Sequence, residues 1–297
     1  MNVQQRGVSF GRVSGRKLGR SADWAARAWG SLGELLLPRS CSCCSVALPY
    51  GSGPALCDEC LMRWKRACAK TERVDPMQDV PETMVASRYD GIVPRVVLGM
   101  KNAGRTDLVP LMGDALARCV FELLRAHRED FGRSSVLGAT ECEVLLIPAP
   151  SSSSSVSRRG YAPATLLARE AARRLKGRLP ASLRVMPLDI VGYASASSRN
   201  DGGSIGGDVA GTLTGLLSGA SGGGEQKTLS AVARSERMHG ALRVLEPALV
   251  AGRLCIICDD VVTTGATAAE MVRVLHEAGS VVLGVCAVAS VPKKASP

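Results

Sequence analysis

Two adjacent carboxylates, Asp259 and Asp260, close the apolar run Cys255-Ile256-Ile257-Cys258, and Val261-Val262-Thr263-Thr264-Gly265-Ala266-Thr267 follows at once. An apolar run ending in paired acids and a Thr/Gly loop has a specific chemical use. Free N–H groups at a helix start, with the helix dipole behind them, favour an anion such as a phosphate. Glycine lets backbone approach that anion closely. Threonine hydroxyls add donors, and the acids one step earlier accept from sugar hydroxyls. A plain Thr/Gly turn between strand and helix is the bland alternative, but adjacent acids at a strand end serve no purpose in packing. Other phosphate loops are absent: the chain holds no G-x-x-x-x-G-K-[ST] and no G-x-G-x-x-G.

The elements around this segment must hold it in place. Ala268, Met271, Val272 and Leu275 follow the spacing of one helical face, so residues 268–278 read as a helix stopped by Gly279. Val281 to Val288 reads as the next strand. Ligands of such strand–loop–helix–strand units sit beyond the carboxyl ends of the strands. Upstream, Met84 to Tyr89, Glu143 to Ile147 and Arg184 to Leu188 read as strands, and Val93 to Met100, Leu108 to Arg125 and Ala164 to Leu175 as helices. Strands alternating with helices predict a parallel α/β sheet.

A second chemical cluster lies near the front. Cys41-x-x-Cys44 and Cys57-x-x-Cys60 are separated by twelve residues. Each C-x-x-C grips one side of a tetrahedral ion, and two close a four-thiolate site suited to structural zinc. Reactive dithiols are the alternative; a thioredoxin-like pair would sit at a strand–helix junction. Cys43 competes with Cys44 for the first pair, although Cys44 gives matching spacing, and Cys68 reads as a buried thiol. Cys255 and Cys258 also form C-x-x-C, but on a strand positions i and i+3 face opposite ways, so both read as core.

The 297 residues carry a net charge of +10, with 46% hydrophobic and 3% aromatic residues. The first 70 residues hold eleven Lys or Arg against four Asp or Glu. Such clustering marks either a polyanion partner or a solvated basic tail. No apolar run approaches the roughly 20 residues that cross a bilayer, and no secretory leader is evident, so a soluble protein without a membrane span is expected. Eleven cysteines in this pattern fit a reducing, cytoplasmic compartment. Residues 1–34 read as a disordered basic extension, with Trp29 to Leu37 a short amphipathic helix; organelle transit peptides share this Arg-rich, acid-poor character. Residues 35–69 read as a zinc ribbon, 70–82 as a linker, 83–291 as the α/β domain, and 193–224, rich in Gly and Ser, as a flexible insertion.

The acid–acid–Thr-Thr-Gly-Ala-Thr segment resembles the phosphoribosyl diphosphate (PRPP) motif of type I phosphoribosyltransferases. The resemblance implies that Asp259 and Asp260 hold the ribose hydroxyls, and that Thr263, Thr264, Gly265, Ala266 and Thr267 wrap the 5′-phosphate. Leu145-Leu146-Ile147-Pro148-Ala149-Pro150, five serines, and Arg158-Arg159-Gly160-Tyr161 extend the likeness. With the cysteine pairs in front, the chain from about Leu35 to Val291 resembles the ComF family: a zinc ribbon followed by a type I phosphoribosyltransferase domain, bacterial and linked to DNA uptake in competence. Pro148, Pro150, Arg159, Gly160 and Tyr161 match that family, while Ala162-Pro163 replace its usual Asn-Gln. Gln226, Leu229 and Arg237 match a further block, where His239 replaces Asn.

By this resemblance Lys101, Arg159 and Arg237 neutralise the diphosphate, with surface charge as the alternative for each. It also implies PRPP or a nucleoside monophosphate as ligand, Mg²⁺ with PRPP, structural Zn²⁺, and transfer of phosphoribose to an unidentified nitrogen acceptor. A non-catalytic nucleotide sensor is one alternative. A competence accessory that binds single-stranded DNA or a helicase partner is another. A homo-oligomeric state stays open. The expected architecture is therefore a type I phosphoribosyltransferase-like parallel sheet flanked by helices, with a small N-terminal zinc ribbon.

Overall fold

The computed structural model describes residues 40–49, 55–128, 142–194 and 238–292. Six strands form the main sheet: β1 (Glu72–Arg73), β2 (Thr83–Arg88), β3 (Cys142–Pro148), β4 (Leu183–Pro187), β7 (Leu254–Val262) and β8 (Val281–Ser290). Their order is β1-β2-β8-β7-β3-β4. Every neighbouring pair is parallel except β1 with β2. A separate antiparallel ribbon joins β5 (Val191–Tyr193) to β6 (Leu242–Val244). The helices are α1 (Asp58–Ala67), α2 (Val93–Asn102), α3 (Val109–Ala126), α4 (Ser153–Arg159), α5 (Pro163–Leu175) and α6 (Ala266–Glu277). The mixed α/β fold with a mostly parallel sheet is thus the one expected.

The central strands are apolar on both faces because helices cover both faces. Val144, Leu146, Ile256, Cys258, Cys286 and Val288 point to one side and join a core with α1, α2, α3 and α5. Leu145, Ile147, Cys255, Ile257, Val285 and Ala287 point to the other and join α6 and the β5–β6 ribbon. Cys255 and Cys258 therefore lie in different cores, as strand alternation requires. Helix α3 buries Met112, Leu116, Val120 and Leu123 completely, spaced at three and four residues. Each such side chain contributes about 1.5–3 kcal/mol. Its crossing with α5 is laced by Arg174, which bonds Glu170 at 2.8 Å and Asp114 at 3.4 Å.

The connections decide where a ligand sits. From β3 the chain crosses through α4 and α5 to β4, on one side; from β7 it crosses through α6 to β8, on the other. Adjacent β3 and β7 are thus a switch point, and the crevice beyond their carboxyl ends is the place such sheets bind ligands. That crevice is bounded by Pro148-Ala149-Pro150 and by Asp259-Asp260, and the Ala149 N–H donates to the Cys258 carbonyl at 2.8 Å.

Two readings of organisation need correction. The segment 70–82 is not a free linker. It contributes β1 to the sheet edge, and Met77, only 8% exposed, packs into the second core. The sheet domain therefore starts before residue 83. At the other end, Tyr193 belongs to β5 rather than to the Gly/Ser insertion. The basic extension, the Trp29–Leu37 helix and residues 195–237, which include Gln226, Leu229 and Arg237, lie outside the described residues. No helix among the described residues is long and apolar enough to cross a membrane.

Candidate functional site

Strand β7 delivers Asp259 and Asp260 side by side, and alternation sends their side chains to different neighbours. Asp260 is 4% exposed and accepts an ion pair from the Lys101 ammonium, Nζ to Oδ1 at 2.9 Å. Asp259 reaches the surface in part, and its Oδ1 accepts the Asp260 backbone N–H at 2.7 Å. Burial pushes the Asp259 carboxyl well above the usual range, the Asp260 charge adds to this, and Lys101 opposes it. For Lys101, burial pulls its pKa down, but Asp260 and then Asp259 more than reverse it, so the ammonium is held above its ordinary value. One cation thus serves two acids.

Beyond β7 the loop turns into α6 at Gly265, whose φ is +83°. Thr264 Oγ1 accepts the Ala266 N–H at a long 3.4 Å. Gly265, in the cap position, has no side chain with which to cap the helix start. Open N–H groups at the head of a twelve-residue helix, beside Thr263, Thr264 and Thr267, form an anion cradle. A Cβ on Gly265 would meet Met77 Sδ at 2.7 Å, so the segment from β1 packs directly under the turn.

The Pro148–Tyr161 segment approaches from β3. Ser152 caps α4, its Oγ accepting the Ser155 N–H at 3.3 Å, so part of the serine run is helical. Gly160 ends α4 with φ at +79°. Arg159 then points inward: Nε donates to Ser155 O at 3.1 Å and Nη1 to Lys101 O at 3.5 Å. Tyr161 Oη donates to Met100 O. Ala162 and Pro163 simply start α5, with Pro163 in the first turn.

Lys101, Arg159, Asp259, Asp260 and the Thr263–Thr267 loop are therefore gathered at one end of the sheet. Arg237 lies outside the described residues, and His239 is 78% exposed, its Nδ1 3.9 Å from Glu270. Two tyrosines escaped the sequence reading. Tyr89 follows β2 and its hydroxyl is buried with no hydrogen-bond partner among the described residues. Burial raises its pKa, and the charges of Lys101 and Asp260 both act on it. Tyr193 ends β5 close enough to feel Asp259, after burial the second influence raising its pKa. Position just past a parallel strand's carboxyl end was the available signal for Tyr89. Nothing local marked Tyr193. A cleft of about 580 Å³ lined by Lys70, Arg118, Phe121 and Arg178 lies elsewhere and shares none of these residues.

Residues 155–297, just under half of the chain, match the family model described as the phosphoribosyl transferase domain. That stretch is similar to phosphoribosyl transferase domains. The match takes in Arg159, the paired acids and the threonine loop. The chain is also similar to an orotate phosphoribosyltransferase of Mycobacterium avium (strain 104), 40% identical over 57 residues. That alignment covers 19% of this chain and only about a third, 32%, of the relative. Among solved structures, TT1426 from Thermus thermophilus aligns with 64% of this chain and 86% of its own, at 18% identity and a TM-score of 0.24.

In front of the matched region, Cys41, Cys44, Cys57 and Cys60 bring their sulfurs within 4.8 Å of one another. Four thiolates about a zinc ion at 2.3 Å stand roughly 3.8 Å apart, and Cys44 Sγ lies 3.6 Å from Cys57 Sγ. The donor set therefore fits zinc and an N-terminal zinc ribbon. The first pair sits in a tight turn in which Cys41 N–H donates to Val46 O at 2.8 Å. The second pair opens α1, with Cys57 as its cap. Burial raises the Cys41 thiol, but N–H donors from Cys44, Cys57 and Cys43 outweigh it and bring it to about 6. Cys43 stays outside the cluster and is pushed up to about 11 by burial. Cys68, which ends α1, is buried, as expected of a core thiol. Trp64 and Leu56 tie this module into the same core as α2 and α3, so it is a part of the domain wall.

Proposed function

We propose that this chain binds PRPP with Mg²⁺ and transfers its phosphoribosyl group to a nitrogen acceptor. The observation that carries the reading is the continuity at the sheet's switch point: buried strand, two acids, an uncapped turn and a helix start, in that order. Asp259 and Asp260 accept from the ribose 2′- and 3′-hydroxyls. The N–H groups of residues 264–267 and the threonine hydroxyls donate to the 5′-phosphate. Mg²⁺, bound with the substrate, would supply positive charge to the leaving diphosphate. The bond from the anomeric carbon to diphosphate oxygen breaks, its electron pair leaving with the diphosphate. A bond from that carbon to the acceptor nitrogen forms, and the nitrogen's proton passes to solvent or a base. The protein's part is positioning and a preorganised field. Arg237 remains an expected diphosphate partner by family resemblance.

The four-cysteine module in front of the matched region fits a ComF-like protein with zinc as its structural ion, and by that family resemblance we infer a role in DNA uptake. Under that reading the basic front end meets single-stranded DNA or a helicase partner, and truncating residues 1–30 lowers DNA affinity and its salt dependence. The decisive experiment incubates zinc-loaded protein with PRPP, Mg²⁺ and a panel of nitrogenous bases, orotate included, and measures released diphosphate. A second reading, binding without turnover, is favoured by Ala162-Pro163, which only start α5. Calorimetric heat with PRPP but no diphosphate release with any base selects it. No heat at millimolar PRPP refutes both.

A further inference from the structure

Three parts of the chain converge on Lys101. Its ammonium sits 2.9 Å from Asp260, in a pair whose side chains are 19% and 5% exposed. Its own carbonyl accepts from Arg159, and the Met100 carbonyl before it accepts from Tyr161. Arg159 is itself tied back to Ser155 O at 3.1 Å. On the opposite flank, a Cβ on Gly99 would lie 3.2 Å from Leu108 and 3.8 Å from Ser42, inside the first cysteine turn. The end of α2 is thus held between the cysteine module and the Arg159–Tyr161 segment.

These contacts bear on what the lysine does. To act on diphosphate, the ammonium would have to leave Asp260 and reach toward the leaving group. Leaving would strand a buried carboxylate beside a second one, and breaking a buried pair on one side is strongly unfavourable. Arg159 likewise spends two N–H groups on backbone carbonyls. We propose that Lys101 is a positioning residue: the end of α2, clamped by Arg159 and Tyr161, holds the ammonium on Asp260 and fixes that carboxylate's orientation as a ribose-hydroxyl acceptor. This inference rests on the PRPP reading and departs from the family-based expectation that Lys101 and Arg159 neutralise diphosphate.

Two probes separate the roles. PRPP with Mg²⁺ carries ribose, 5′-phosphate and diphosphate; ribose 5-phosphate lacks the diphosphate. Calorimetry on full-length zinc-loaded protein compares wild type, Lys101→Met, Lys101→Arg, Asp260→Asn and the double variant Lys101→Met/Asp260→Asn. Loss of a charge-assisted contact predicts that Lys101→Met weakens both probes alike, by about 10- to 100-fold. Lys101→Arg recovers most of that loss. Because Lys101 acts through Asp260, the double variant binds no worse than Asp260→Asn alone, a non-additive cycle. If Lys101→Met does not fold, the double variant and Lys101→Arg, which avoid an unpaired Asp260 charge, carry the comparison. Loss confined to PRPP makes Lys101 a diphosphate ligand and overturns the proposal while leaving the PRPP reading intact. Additive losses overturn it as well. Wild-type protein that binds neither probe overturns the PRPP reading and this inference with it.

Discussion

Replacing Gly265 with Ala tests the phosphate turn at its tightest point. The residue has φ at +83°, where an L side chain meets its own backbone. That conformation costs about 1–2 kcal/mol for a non-glycine residue. Ala recovers roughly 0.4–1 kcal/mol by stiffening the unfolded chain. A further cost comes from Met77, whose Sδ would lie 2.7 Å from the new Cβ. Met77 is a flexible side chain but is only 8% exposed, so it has little room to retreat. The net expectation is a loss of about 1–2 kcal/mol. For a domain of 150–250 residues each kcal/mol moves Tm by roughly 2–4 °C, so thermal unfolding should fall by about 2–8 °C. The double variant Gly265→Ala/Met77→Ala removes the clash but adds a core cavity, which by itself costs about 2–5 kcal/mol. The informative quantity is therefore the coupling: Met77→Ala should cost less in the Gly265→Ala background than in wild type. Calorimetry should show PRPP binding weakened in both proteins that carry Gly265→Ala, because the strained turn moves the N–H groups. Unchanged Tm and unchanged affinity in Gly265→Ala would refute the claim that a left-handed turn packed on Met77 shapes the phosphate cradle.

Other outcomes follow from the same geometry. The folded-state pKa of Asp259 is raised above the unfolded value of about 3.9. The folded state then binds the extra proton between those two values, so this group lowers stability as pH rises through that window. Asp259→Asn should therefore raise Tm at neutral pH in ligand-free protein while weakening PRPP binding; a lower Tm would contradict the electrostatic reading. Glu270 shows the opposite sign. Burial raises its carboxyl, but Arg273 at 2.8 Å and the Leu242 N–H outweigh that and hold it low. Its contribution is present above the unfolded pKa of about 4.3 and disappears as pH falls through the folded value. Glu270→Ala should cost about 1.5–3 kcal/mol by urea denaturation and loosen the β5–β6 ribbon in hydrogen exchange. Elemental analysis should find one zinc per chain, and a Cys57→Ser/Cys60→Ser variant should lose it. Because Trp64 and Leu56 share a core with α2 and α3, chelation should lower the Tm of the whole domain. An unchanged main transition would show the module to be independent.

Local chemistry announced itself in the sequence. Asp259-Asp260 before Thr263-Thr264-Gly265, and two C-x-x-C pairs, are contiguous motifs whose residue types already state what they bind. Most elements were legible because their patterns were clean: α3 buries one face at three- and four-residue spacing, and β7 and β8 read as continuous apolar runs buried on both faces. The short ribbon of β5 and β6 was not, since three-residue strands carry too little pattern to distinguish from loop. Nor was the role of residues 70–82, where Met77 enters the second core and packs against Gly265.

Tertiary structure alone decided the company each charge keeps. Lys101 and Asp260 are separated by more than half the chain, and no spacing rule relates them. Their ion pair exists because β7 lies inside the sheet and α2 ends above its carboxyl edge. The same holds for Arg159, expected by resemblance at the diphosphate, whose guanidinium also donates to the Lys101 carbonyl at the end of α2. A sequence determines which groups can ionise or donate. Which of them are buried together, and so which charge must answer which, depends on distances that only the packed sheet sets.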